Sequence, residues 1–305
     1  MTTSFDKNFV PCLVLLHGSV ALGMGSMSGD LDAVLLVPSF IDREDYFTSF
    51  TDFLEKCNEI TNIVAITDTI VPLIRMLVGE VQVDLTLSVF GSPCLPHQIN
   101  MDMHPDQLYR NMDSPSVHSL SGVVLAHEIR KILDKDQSYY ALLRAVRAWI
   151  RARGVSGFIY GFPPTVSWTI LVAYLCKRNS SSSDSIVCVC DLAECSTHSS
   201  PNLGRRRHSV TCLLYQFFYT FSSWEWPRPV LITPVQNVSV STWDRKKNLP
   251  SSTALMPIIS PAFPNKNTAF SVREATKNIV VRELKRGKQA VCFFSPNFCC
   301  ECPLK

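Results

Sequence analysis

Two aspartates one residue apart stand at the head of an apolar run. Asp30 and Asp32 lead directly into Val34, Leu35, Leu36 and Val37, and the stretch before them opens with Gly18-Ser19. The spacing and composition read as an apolar strand with the acids at its start. Residues i and i+2 of a strand point to the same face, so both carboxylates aim at one point. Crowded carboxylates are costly unless a cation sits between them. Mg²⁺ suits the pair, because it takes oxygen ligands and leaves room for phosphates. Gly18 and Ser19 carry little side chain, which lets backbone N–H groups approach an anion closely. A phosphate cradle beside a metal-binding acid pair is the layout of a nucleotidyl-transfer site.

A second acid-bearing strand follows. Val81, Val83, Leu85 and Leu87 alternate with Gln82, Asp84, Thr86 and Ser88, a period of two that puts Asp84 on the polar face. Gly79-Glu80 before it reads as a tight hairpin turn. Ile63–Ile66 and Val71–Val78 read as further strands. Asp45–Ile60 reads as one helix with Tyr46, Phe47, Phe50, Phe53, Leu54, Cys57 and Ile60 on one face. Phe9–Leu16 reads as a buried strand leading into the Gly18 loop, in preference to a signal-peptide core. Asp84 completes a three-carboxylate set with Asp30 and Asp32, enough to hold two Mg²⁺ (or Mn²⁺) ions.

The chain of 305 residues is long enough for roughly two domains. An apolar fraction of 46% supports packed cores and argues against global disorder. The net charge of +3 excludes a whole-molecule basic footprint for nucleic acid, so any RNA surface is local. No apolar run approaches the roughly 18 residues of a membrane span, and no membrane partner is expected. The 12 cysteines are irregularly spaced, and most read as thiols in a reducing compartment and not as a disulfide framework. Cys188, Cys190, Cys195 and His198 do not match a standard zinc finger.

The Gly-Ser…Asp-x-Asp pattern resembles the signature of the polymerase-beta-like nucleotidyltransferases. The likeness extends to the eukaryotic poly(A) polymerases through Phe47–Phe50, Val71–Ile74, Trp224–Pro227 and Leu255–Pro264. The resemblance implies an α+β protein: a small mixed-sheet nucleotidyltransferase palm at residues 1–115, then a mostly helical central domain at 116–285. Within the latter, Ser138–Arg153 reads as a helix stopped by Gly154, with Arg144, Arg147 and Arg151 as a cationic stripe. Val166–Cys176 and Leu213–Trp224 read as buried helices. Asn179–Ser209, with its serines, cysteines and Arg205–Arg207, reads as a flexible surface insertion. Residues 286–305 would be a remnant of the family's RNA-binding carboxyl-terminal domain, an arrangement that predicts weak, distributive additions.

The resemblance also implies site residues. Asp30, Asp32 and Asp84 become the catalytic metal ligands. His17, Gly18, Ser19, Ser26, Ser121, Arg147, Ser156, Thr165 and Val166 fall at nucleotide-binding positions, and Arg75 and Arg144 at RNA or triphosphate contacts. Arg75 and Arg147 replace family lysines, which keeps the charge and changes a point charge into a planar fork. Ser156 stands for a tyrosine, Pro164-Thr165 for Gly-Gly, and Ser121 for an asparagine. The implied activity is addition of AMP from ATP to an RNA 3′ end during nuclear mRNA polyadenylation, with cleavage and polyadenylation factors as partners. An inactive RNA-processing scaffold and a transferase of another nucleotide such as UTP stay open beside it.

Overall fold

The structure is a computed structural model in which residues 11–25, 29–181, 209–233 and 254–294 are described. Chain contacts divide it into two units, the first reaching Glu128 and the second beginning at Ile129.

The first unit is built on a five-stranded mixed sheet. Its strands are β1 (Leu13–Leu16), β2 (Leu31–Val37), β3 (Ile60–Ile66), β4 (Leu73–Val78) and β5 (Val81–Val89), in the order β1-β2-β5-β4-β3. β2 and β5 run parallel at the centre, and the other neighbours are antiparallel. The period of two decides the layers. Ala33, Leu35 and Val37 of β2, Ile74 and Met76 of β4, and Val83, Leu85 and Leu87 of β5 form one core with Tyr46 and Leu54. Tyr46 also donates its hydroxyl to Leu85 O at 2.6 Å. The opposite face carries Asp32, Asp84 and Arg75 at one end. Further along it, Val34, Leu36, Thr86 and Ser88 are buried. There Ser88 Oγ donates to Ser116 O on helix α5 (Ser114–Leu133). The polar half of β5 is thus half-covered, and only the stretch nearest its start stays open.

Several local expectations are corrected. Asp45–Ile60 is not one helix but α2 (Arg43–Phe47), α3 (Ser49–Glu55) and the start of β3. The break falls at Thr48, whose ψ of −88 leaves the helical region and whose Oγ1 donates to Glu44 O. A threonine that bonds back to its own turn competes with helix continuation. β1 is not buried: it is an edge strand, with Val14 and Leu16 on the exposed side. β4 starts at Leu73, not Val71. The hairpin turn holds, with Gly79 at φ 60 and Val78 paired to Val81. The short helices α1 (Gly18–Ala21) and α4 (Pro105–Leu108) complete this unit.

The second unit is helical. α6 (Ser138–Arg153), α7 (Thr165–Ser181), α8 (Val210–Ser222) and α9 (Glu274–Phe294) enclose an aromatic core. Trp149 of α6 stands edge-on to Trp168 of α7 and Phe218 of α8 at 5.4 and 5.0 Å between ring centres. α6 ends at Gly154 in the left-handed conformation, as its sequence predicts. α8 stops at Ser222, short of Trp224. α7 runs beyond Asn179, where the sequence reading starts its insertion. The Asn179 side chain donates to Tyr139 Oη and to Gln216 Oε1, a part-buried network that ties the helix end to α6 and α8. The remainder of that insertion, with the four candidate zinc ligands and Arg205–Arg207, lies outside the described residues, as do the tail cysteines Cys299, Cys300 and Cys302. Met256, Ile258, Ile259 and Phe263 are buried, so the Leu255–Pro264 segment is core. Among the described residues no helix is long and apolar enough to cross a membrane.

Candidate active site

The acids meet through strand register. Asp32 on β2 lies directly opposite Asp84 on β5 in the parallel pair. In-register neighbours on adjacent strands present their side chains to the same face. Asp30 lies one residue before β2, exposed and two positions from Asp32. Burial pushes the Asp32 carboxyl up to about 6, and the charges of Asp84 and then Asp30 add to the shift. The three acids therefore share one electrostatic environment and carry more negative charge than Asp32 can hold unaided.

Gly18 is fitted to Asp32. It adopts φ +62, and a Cβ built there would run into the Asp32 carboxylate. The glycine expected to admit a phosphate thus also makes room for an acid. His17 donates its backbone N–H to Asp32 O at 3.0 Å. Its ring is buried beside Gly122 of α5, whose absent side chain leaves the space. The His17 Nε2 is buried and unpartnered in the described structure. Burial lowers the ring pKa to about 4 against the pull of Asp84. Ser19 is half-buried, and its carbonyl accepts from Met24 N–H at 2.8 Å, which closes the loop on itself.

Arg75 lies opposite Asp84 on β4 and forks onto it: Nε donates to Oδ1 at 2.8 Å and an Nη to Oδ2 at 2.7 Å. That pairing changes the geometry expected of the acids. Among the described residues, the trio whose donor atoms all come within 4.8 Å of one another is Asp102, His127 and Glu128, not the three aspartates. Asp84 has a cation of its own to bond. The other trio was not legible in the sequence: Asp102 is in a loop and His127 and Glu128 are on α5, with no motif joining them. His127 Nε2 lies 3.1 Å from Asp102 Oδ1.

The remaining expected residues are placed as follows. Ser121 lies on α5 and donates its hydroxyl to His118 O within the helix, at 2.7 Å. Ser26 lies outside the described residues. In the second unit, Ser156 Oγ and Thr165 Oγ1 stand 3.4 Å apart at the start of α7, with Val166 next in the helix. On α6, Arg144 and Arg151 are exposed and Arg147 is half-buried. Burial and then the nearby Arg151 charge hold the Arg147 guanidinium below its ordinary value.

A divalent cation fits the first unit's acids: Asp32 and Asp84 sit in register on one face, Asp84 already draws one cation from the chain, and Asp30 adds its charge to theirs at Asp32. Comparison with known proteins agrees with that chemistry. The poly(A) polymerase nucleotidyltransferase domain matches residues 8–133, and the poly(A) polymerase central domain matches residues 206–294. The chain belongs to the poly(A) polymerase family. It is 27% identical over 276 residues to poly(A) polymerase PAPalpha of Candida albicans, covering 90% of this chain and 44% of that protein. It is 25% identical to the same organism's poly(A) polymerase PAPa, covering 90% of this chain and 45% of that protein. This poly(A) polymerase homologue thus spans less than half the length of these relatives. In fold it is similar to a mutant Cid1 poly(U) polymerase bound to MgATP, with TM-score 0.63, 12% identity, and 94% and 84% of the two chains covered. It is also similar to terminal uridylyl transferase 4 of Trypanosoma brucei bound to UTP and UMP, with TM-score 0.58, 14% identity, and 92% and 88% covered.

Proposed function

We propose that this chain is a template-independent RNA nucleotidyltransferase that adds AMP from ATP to RNA 3′ ends. The observation that carries the reading is the register of Asp32 with Asp84, which sets two acids of a three-acid set side by side on one sheet face. Asp30, Asp32 and Asp84 would hold the ions, Mg²⁺ or Mn²⁺. Ions held there would supply Lewis-acid charge for activating the 3′-hydroxyl and for neutralising the leaving pyrophosphate. The chain's own residues position the reactants. Gly18 sets the loop against Asp32, and Arg147 supplies a forked cation for a phosphate oxygen. Ser156 and Thr165 put two hydroxyls together for the sugar or base. The setting proposed is nuclear mRNA 3′ processing, alongside cleavage and polyadenylation factors; support for it is the family alone.

The test is extension of an RNA primer by the purified protein with each of the four nucleotides in turn, with Mg²⁺ or Mn²⁺. ATP should be incorporated, and Asp32→Asn should abolish extension while leaving the circular dichroism spectrum unchanged. A second reading keeps the chemistry and changes the nucleotide, for instance to UTP. The paired small hydroxyls of Ser156 and Thr165, standing where the family has a tyrosine and glycines, favour it. Preferential incorporation of UTP in the same assay decides for it. No extension with any nucleotide, with Mg²⁺ or Mn²⁺, would support a non-catalytic RNA-processing role.

A further inference from the structure

Across the open end of the sheet three charged side chains stand in one row. Asp32 is opposite Asp84, and Asp84 is opposite Arg75. Asp84 is flanked by an acid on one side and a cation on the other, and it bonds the cation. The guanidinium fork occupies both of its carboxylate oxygens, at 2.8 and 2.7 Å. A carboxylate oxygen has a second lone pair to offer. A divalent ion placed on it would still stand close to the guanidinium, charge against charge. Asp84 therefore serves the metal fully only when Arg75 lets go.

We propose that Arg75 is a resident counter-ion that competes with the divalent metal for Asp84, so that metal loading and nucleotide binding are coupled through its release. This rests on the reading of the three aspartates as metal ligands and adds to it a residue that opposes loading. A further observation supports the direction. The Arg75 side chain is 44% exposed and that of Asp84 only 15%, so the arginine is the partner able to swing away. A triphosphate offers the fork an equivalent bidentate partner. Its arrival would draw Arg75 off Asp84 and free the carboxylate. Arg75 is accordingly a positioning residue acting through Asp84.

The test is Mn²⁺ binding to the full chain, read from the electron paramagnetic resonance signal of free Mn²⁺, without RNA. Arg75→Gln should bind Mn²⁺ about tenfold tighter than the unaltered protein, the equivalent of one charge-assisted hydrogen bond. Arg75→Lys, with a point charge for a fork, should fall between. Inorganic tripolyphosphate should raise the Mn²⁺ affinity of the unaltered protein and have much less effect on Arg75→Gln. Asp84→Asn should weaken binding and make the Arg75 substitution silent. Equal or weaker binding by Arg75→Gln, where Asp84→Asn does weaken it, overturns the competition and leaves the metal reading standing. Binding indifferent to Asp84→Asn overturns both. Thermal unfolding of each variant separates these outcomes from a failure to fold.

Discussion

A Cβ on Gly18 would run into the Asp32 carboxylate, and Asp32 is itself pushed up to about 6 by burial and by its acidic neighbours. That shift carries a stability consequence. Between its ordinary value of 3.8 and about 6, the folded state binds more protons at Asp32 than the unfolded chain does, so stability falls as pH rises through that window. His17 acts in the opposite sense. Its ring, lowered to about 4 from 6.5, binds fewer protons when folded, so stability rises with pH between those values. The two slopes oppose one another from about pH 4 to 6. Asp32→Asn removes one of them. The metal-free variant should be more stable than the parent at pH 8 and should gain stability as pH rises to about 6.5. Thermal midpoints across pH check both statements, and a variant less stable than the parent at pH 8 contradicts the first. Asp32 is thus an acid that the fold holds more easily without its charge.

At the scale of elements, packing decides what periodicity leaves open. Gly287 lies in α9 with no turn, cap or unusual dihedral to mark it. A Cβ there would come 2.5 Å from Phe218 Cε1 on α8. The Phe218 ring cannot yield, because it is buried and stands edge-on to Trp149 and Phe217. Gly287→Ala should therefore destabilise the protein by about 1–3 kcal/mol through overpacking, reduced by up to about 1 kcal/mol of helix propensity. A urea midpoint at or above that of the parent contradicts it. α6 makes the converse case. Its apolar stripe buries Leu142, Leu143, Val146 and Ile150, while Arg144 and Arg151 stay exposed and Arg147 is half-buried. A half-buried arginine kept beside a second one on a helix face is consistent with an anionic partner. Arg147→Ala should raise the KM for nucleotide about tenfold to a hundredfold, the range of one charge-assisted bond. Unchanged nucleotide kinetics would place it on an ordinary solvated face.

For the whole molecule, the net charge of +3 limits how many phosphates can be neutralised. Primer affinity should fall only shallowly with salt, with a slope of about −2 if some three phosphates of a single strand are contacted. Fluorescence anisotropy of a labelled RNA across salt concentrations measures it, and a steep slope would reveal a basic surface that the overall charge conceals. What the sequence determined by itself was the local elements that carry the candidate acids. The apolar run of Leu31–Val37 and the alternation of Val81–Val89 need only local geometry, so the two acid-bearing strands, the Gly79 turn and the Gly154 stop were legible from spacing alone. The helices α6 and α8 were legible for the same reason. Tertiary structure decided what no local rule contains. The order β1-β2-β5-β4-β3 set Asp32 beside Asp84, two acids far apart in sequence, whereas the Gly79-Glu80 turn already fixes Arg75 opposite Asp84. Tertiary structure also decided that Asn179 belongs to a part-buried network with Tyr139 and Gln216. Side-chain direction is fixed within a strand by the backbone, but the identity of the facing neighbour depends on which strands pair and in what register. That choice is made by the packing of the whole sheet.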